Sequence, residues 1–263
     1  MMSQIHAAEV PGPEWRGLCR LGGAAAWVAA IVFRRNLAEE YLLFRGLGVI
    51  RSGPNAFPDN PAAWFDLLHT HRLIGLTFLN LFDGVNYALV GLIFLGLYAT
   101  LRRVNRSWMT LAMALTFVAI ATYFASNQGF AMLSLSDRYA AATIDVQRSA
   151  LLAAGQALLA IHNTGANYGN SLYVSFLFIN LAGLIIAAVM LRSSAFGKLA
   201  AWMGILANAF GLGYYVTMIL VPALSFIPLS AAAPFLLVWY LLIGRKLFFL
   251  PSNLNAFAQS RPK

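Results

Sequence analysis

The sequence predicts an all-α fold: a polytopic transmembrane helix bundle of six spans plus interfacial or partly inserted helices. Three observations predict it. Of the 263 residues, 60% are hydrophobic and 10% charged, with a mean hydropathy of +0.70, whereas soluble domains carry about 25% charged residues. Apolar stretches of roughly 17–30 residues recur along the chain, and at ~1.5 Å per helical residue most of them reach across a ~30 Å hydrocarbon core. Arg and Lys sit mostly beside these stretches rather than inside them.

Residues 1–16 read as an N-terminal tail, with Pro11 and Pro13 and little apolar periodicity. The first span, 17–33, is rich in Gly and Ala, so it makes a thin helix suited to close packing in lipid. Arg16 and Arg20 precede its apolar run and Arg34 and Arg35 follow it. That flanking suits a retained anchor better than a cleaved signal. Residues 34–47 mix charge with apolar side chains and read as an interfacial helix. RSGPNAFPDNP is a turn-rich break, and Pro61 then starts a helix whose Trp64 and Phe65 are expected at headgroup level.

The second span, 72–101, is expected as one long helix. The third is 108–128, and the link between them holds Arg102, Arg103 and Arg106 with no acid. Residues 145–163 are helical by pattern, with Asp145, Arg148, Gln156 and Asn163 within about 80° of one another. This narrow polar stripe fits a helix at the interface, or one entering the bundle with the stripe inward. Spans 171–191, 199–221 and 224–244 follow, and 251–263 is a C-terminal tail. Residues 17–250 are thus expected as a single transmembrane domain.

Charge selects six spans. With residues 102–106 cytoplasmic, an uncrossed 145–163 leaves Arg192, Lys198, Arg245 and Lys246 cytoplasmic too. A crossing segment would put both later clusters outside, against the positive-inside rule. Both termini are therefore expected in the cytoplasm.

The candidate chemistry centres on Asp83, an aspartate inside an apolar stretch. An aspartate at mid-membrane costs roughly 2.5–3.5 kcal/mol on insertion scales. Asn80, Asp83 and Tyr87 lie within about 60° on a helix. Such a face suits a proton or cation site, or a polar ligand anchor. It equally suits a structural carboxyl paired with Arg148 or bonded to an asparagine. Asn127, Gln128, Gln156, Asn180 and Asn208 would line a hydrated cavity or join helices together; asparagine alone does no acid–base work.

His69 and His162 are the weak metal candidates, and no metal, haem or other cofactor is expected. The single cysteine, Cys19, excludes an intramolecular disulfide and every multi-cysteine metal site. Zincin, nucleophile-elbow, Walker and dinucleotide patterns are absent. The formal charge of +9 is assigned to topology and anionic lipid rather than nucleic acid. Membrane lipids are the expected partners, with other membrane protein subunits after them.

Three stretches carry a family resemblance: LNLFDGVNYALVGLIFLGLYATLRR (79–103), RYAAATIDVQRSALLAAGQALLA (138–160), and FGKLAAWMGILANAFGLGYYV with FIPLSAAAPFLLVWYLLIGRKL within 196–247. In these the chain resembles the DUF4386 family of bacterial integral membrane proteins. The likeness covers most of the chain from about Arg16 on. It implies a six-span bundle in the bacterial cytoplasmic membrane. Asp83, Arg148, Asn208 and Pro228 match positions of the family pattern to which no role attaches, and no activity or substrate comes with it. The functional expectations, in order of preference, are a non-enzymatic bundle or accessory subunit of a membrane complex, a small transporter or ion-coupled carrier using Asp83, and a membrane-embedded lipid-modifying enzyme near His69, His162, Asp137 and Arg148.

Overall fold

Among the described residues the apolar runs lie in helices. The computed structural model describes residues 12–46, 58, 60–79, 81–162, 171–224 and 226–259, with 13, 33–46, 161–162, 171–172, 222, 226 and 251–259 described by backbone alone. Among the described residues the α-helices are α1 (Arg16–Gly46), α2 (Pro61–Thr70), α3 (Arg72–Phe78), α4 (Leu81–Leu101), α5 (Arg106–Ser126), α6 (Gly129–Ala141), α7 (Asp145–His162), α8 (Ser171–Met190), α9 (Lys198–Leu220) and α10 (Phe226–Gln259). No strand occurs among them.

Five helical segments among the described residues are long and apolar enough to cross a membrane: Leu81–Leu101, Arg106–Ala141, Tyr173–Met190, Lys198–Leu220 and Ile227–Leu250. The expected first span, 17–33, lies in α1 and is not one of the five, which are counted over the described residues alone; the side chains of α1 are described no further than residue 32. The expected span 72–101 is interrupted after Phe78 and resumes at Leu81. Gly75 lies beneath Leu68, where a β-carbon would come within 2.6 Å of the Leu68 side chain, so α3 is packed back onto α2. The segment 108–128 stops at Ser126, and α6 begins at Gly129.

The chain folds as two compact units. The first comprises Met1–Arg34, Asn86–Ala121 and Ser175–Lys263, the second Arg35–Val85 and Thr122–Val174. In the first unit, paired contacts fix the helix directions. Arg102 lies over the Trp15 ring at 4.1 Å, and Gly22 meets Leu92 and Gly96, so α1 and α4 are antiparallel. Phe94 meets Trp239 and Gly96 meets Leu247, so α4 and α10 are parallel. Gly204 meets Trp239 and Phe210 stacks on Phe235, so α9 is antiparallel to α10. These directions bring Arg16–Arg20, Arg102–Arg106, Arg192–Lys198 and Arg245–Lys246 to one end of the unit.

The first unit packs through small residues. Ala25, Ala26, Ala29 and Ala30 of α1 are buried with Phe94, Leu97, Ile186, Trp239 and Leu247 in one apolar core. A β-carbon on Gly22 would lie 3.2 Å from the Gly96 Cα, and one on Gly23 would lie 2.6 Å from the Phe248 amide nitrogen. Backbones this close give the dense van der Waals contact that drives helix association where lipid competes equally for apolar surface.

The second unit has its own core of Trp64, Phe65, Leu68, Leu76, Leu79, Met132 and Leu159. Asn60 caps α2 by accepting from the Ala63 amide at 2.9 Å, and Pro61 occupies the first turn, a favoured start. Trp64 and Phe65 are each 1% exposed. They are core side chains, because their spacing with Pro61 and Leu68 turns one face of α2 into the packed unit. The Ser136 hydroxyl donates to the Phe65 carbonyl at 2.7 Å. Arg72 and Asp137 form an ion pair at 2.6 Å with both side chains well exposed. Asp137→Asn is expected to lower stability by less than about 1 kcal/mol, a loss that shrinks as salt rises. Chemical unfolding at two salt concentrations checks this.

Candidate functional site

α4 begins at Leu81, so Asp83 sits in its first turn. That is close to a helix end rather than a third of the way along a continuous 72–101 helix. Asp83 is exposed on the helix surface. Neighbouring Gly84 faces the rings of Tyr123 and Phe124, at 3.5 and 3.6 Å from where its β-carbon would be. Among the described residues the Asp83 carboxylate makes no hydrogen bond or ion pair. Asn80, the expected partner on its face, lies outside the described residues.

The proposed structural partner of Asp83 is engaged elsewhere. Arg148 Nε donates to the Ala142 carbonyl at 3.2 Å, closing the C-terminal end of α6. Gln156 is exposed, as are Asp145 and Arg148, so the described part of the α7 stripe faces outward. The opposite side of α7 turns in: Gly155 lies against Phe65, 2.7 Å from where a β-carbon would be, and Leu159 joins the core. Asn163 lies outside the described residues, as does the side chain of His162. His69 is exposed at the end of α2. No group of three or more His, Cys, Asp or Glu able to hold a metal occurs among the described residues.

Asn127 has a definite local task. Its side-chain oxygen accepts from the Gly129 amide at 2.9 Å, and its side-chain nitrogen donates to the Tyr123 hydroxyl at 3.3 Å. It thereby closes a two-residue turn at the break between α5 and α6.

In the first unit, Asn180 and Asn208 occupy one reciprocal arrangement. Each begins an Asn-x-x-Gly pattern, Asn180 to Gly183 on α8 and Asn208 to Gly211 on α9. Asn180 Nδ2 donates to the Phe176 carbonyl at 2.8 Å, and Asn208 Nδ2 to the Gly204 carbonyl at 2.7 Å. Their oxygens point across the seam, Asn180 Oδ1 onto Gly211 and Asn208 Oδ1 onto Gly183. A β-carbon at either glycine would collide with the facing amide. Both asparagines are buried. The pairing makes α8 and α9 an antiparallel hairpin, and each amide supplies an interhelical contact in place of a cavity wall.

Tyr87 belongs to a cluster with residues the sequence did not group. Tyr240, 3% exposed, lies close to Asn86 and Tyr87. Asn86 lies off the Asn80–Asp83–Tyr87 face by helical periodicity, and nothing in the sequence around Tyr240 signals a partner on another helix. In the second unit, a groove of about 430 Å³ lies between α6 and α7, lined by Arg138, Ala141, Ala142, Gln147, Ala150 and Leu151.

These features define a polytopic all-α membrane protein with two compactly packed units. No family model, curated protein or solved structure matches the chain.

Proposed function

We propose that this protein is a non-enzymatic six-span bundle serving as an accessory subunit of a larger membrane complex. The supporting observation is how its polar and small residues are used in the first unit. Asn180 and Asn208 are spent on Gly211 and Gly183, and glycines bring α1 against α4 and α10. Large apolar side chains such as Phe117, Val216 and Ile227 remain 52–61% exposed, available to lipid or to another subunit. The sixth span is α1, whose buried alanines share the core of the other spanning helices. The common basic end supports both termini in the cytoplasm and placement in a bacterial cytoplasmic membrane. The stretches within 79–103, 138–160 and 196–247 support a place among the DUF4386 proteins.

The test is cross-linking in native membranes. A Phe117→Cys variant carrying Cys19→Ser, treated with a short bis-maleimide, is expected to give a discrete adduct with a second polypeptide. A protein that stays monomeric at every reagent concentration argues against assembly through this face.

A carrier using Asp83 is the second reading, favoured by an exposed carboxylate without a partner among the described residues. It predicts proton- or sodium-driven uptake in proteoliposomes that Asp83→Asn abolishes. Under the accessory reading, Asp83→Asn leaves the cross-linked adduct intact. The lipid-modifying reading draws no comparable support, since Asp137 pairs with Arg72 and Arg148 holds the Ala142 carbonyl.

A further inference from the structure

We propose that the basic end of the first unit is a collar that binds anionic phospholipid headgroups. This needs the membrane location but not the assembly proposed above. The first observation is charge without compensation. No Asp or Glu follows Asp145 in the sequence, and the acid described in the first unit is Glu14. The helix directions nevertheless gather the cations of four separate segments at one end. Continuing the antiparallel register set by Gly204 on Trp239 and Phe210 on Phe235 brings Lys198 level with Arg245. Arg106, Arg192, Lys198, Arg245 and Lys246 are exposed, and none of the five pairs with a described acid.

The second observation is aromatic. Trp108, two residues beyond Arg106, is 53% exposed, and Trp202, four residues beyond Lys198, is 51% exposed. Exposed indoles beside cations at a helix end match the membrane–water interface, where the ring sits at headgroup depth. Cations at that depth meet lipid phosphates directly, and each contributes about fivefold to affinity for an anionic surface. A phosphodiester lipid of net negative charge satisfies both features: its headgroup meets the cations and its acyl chains cover the apolar flank below. A zwitterionic lipid offers the chains without the net charge.

Trp108 and Trp202 supply a direct readout. The full chain in neutral detergent is titrated with brominated phosphatidylglycerol or brominated phosphatidylcholine, and tryptophan quenching is followed. Phosphatidylglycerol is expected to quench at the lower mole fraction. The preference is expected to fall by about fivefold for each of Arg192→Gln, Lys198→Gln, Arg245→Gln and Lys246→Gln. Arg138→Gln with Arg148→Gln, in the second unit, is expected to leave it unchanged. Unmodified protein gives a second measurement, independent of variant folding: salt at ~1 M, where the Debye length is about 3 Å, is expected to erase the preference. Equal quenching by the two lipids, a preference that survives in the quadruple variant or at high salt, or displacement of the lipid by glycerol phosphate alone would each overturn the proposal.

Discussion

Gly23→Val is expected to abolish the folded protein in detergent. Two opposing effects decide the sign. Replacing a helical glycine gains intrinsic propensity, up to about 1 kcal/mol for alanine and less for a β-branched residue. Against that gain stands the seam between α1 and α10. A β-carbon at position 23 would lie 2.6 Å from the Phe248 nitrogen and 2.9 Å from the Gly244 oxygen. Both are backbone atoms of a helix, so neither can rotate away as a side-chain terminus can. Relief requires moving α1 bodily and opening the core around Ala26 and Leu247. Overpacking costs about 1–3 kcal/mol even where side chains adapt, and valine adds two methyl groups beyond the alanine case. Gly17 is the internal control, since nothing lies within 4 Å of its β-carbon position. Gly17→Val is therefore expected to be near neutral. Size-exclusion profiles and dodecyl sulfate unfolding curves measure both; a Gly23→Val protein as stable as Gly17→Val would show that α1 does not dock as described.

Gly211→Ala is expected to destabilise the α8–α9 hairpin, and Asn180→Ala in the same chain is expected to restore much of the loss. The added methyl meets Asn180 Oδ1 at a distance no β-carbon tolerates, so the amide must leave its position and its bond to the Phe176 carbonyl. Asn180→Ala alone removes the bond to the Phe176 carbonyl within α8 and leaves a gap over Gly211. The double variant puts one methyl near the space the amide vacates. A favourable coupling of about 1–2 kcal/mol is expected, within the range for residues in direct contact. Gly183→Ala with Asn208→Ala repeats the experiment on the mirrored pair. Additive effects in both cycles would mean that the two asparagines do not face the two glycines.

Much of the fold was legible because the bilayer imposes a coarse rule. A span needs an apolar run of a certain length, and its ends collect cations. The runs of α4, α5, α8, α9 and α10 satisfy the length rule and could be read directly. So could the thinness of α1, since glycine and alanine are small in any environment. Residues 102–106, 192–198 and 245–246 share one end of the first unit, a gathering that only the helix directions reveal.

The interruptions were less legible. Gly75 receives Leu68 from α2, a contact that a hydropathy average does not register because it weighs residue type and not what each side chain meets. Asn127 read as a polar residue inside a span, yet its amide closes the turn between α5 and α6. Trp64 and Phe65 are large aromatics beside a turn-rich break, and the packing of α2 with α6 and α7 made them core.

The candidate site divides the same way. Sequence alone established that Asp83 is an acid within an apolar stretch and that Asn180 and Asn208 are polar residues within apolar helices. Those statements depend on residue type and hydropathy, which are local. What each residue faces depends on helix direction and rotation, and these are set by steric fit between segments distant in the chain. Tertiary structure therefore decided that Asn180 answers Gly211 and Asn208 answers Gly183, that Arg148 closes α6 instead of pairing with Asp83, and that Tyr240 joins Asn86 and Tyr87. The composition of the chain determined that it belongs in a membrane; the positions of its glycines, through the backbones they allow to touch, decided how its helices meet there.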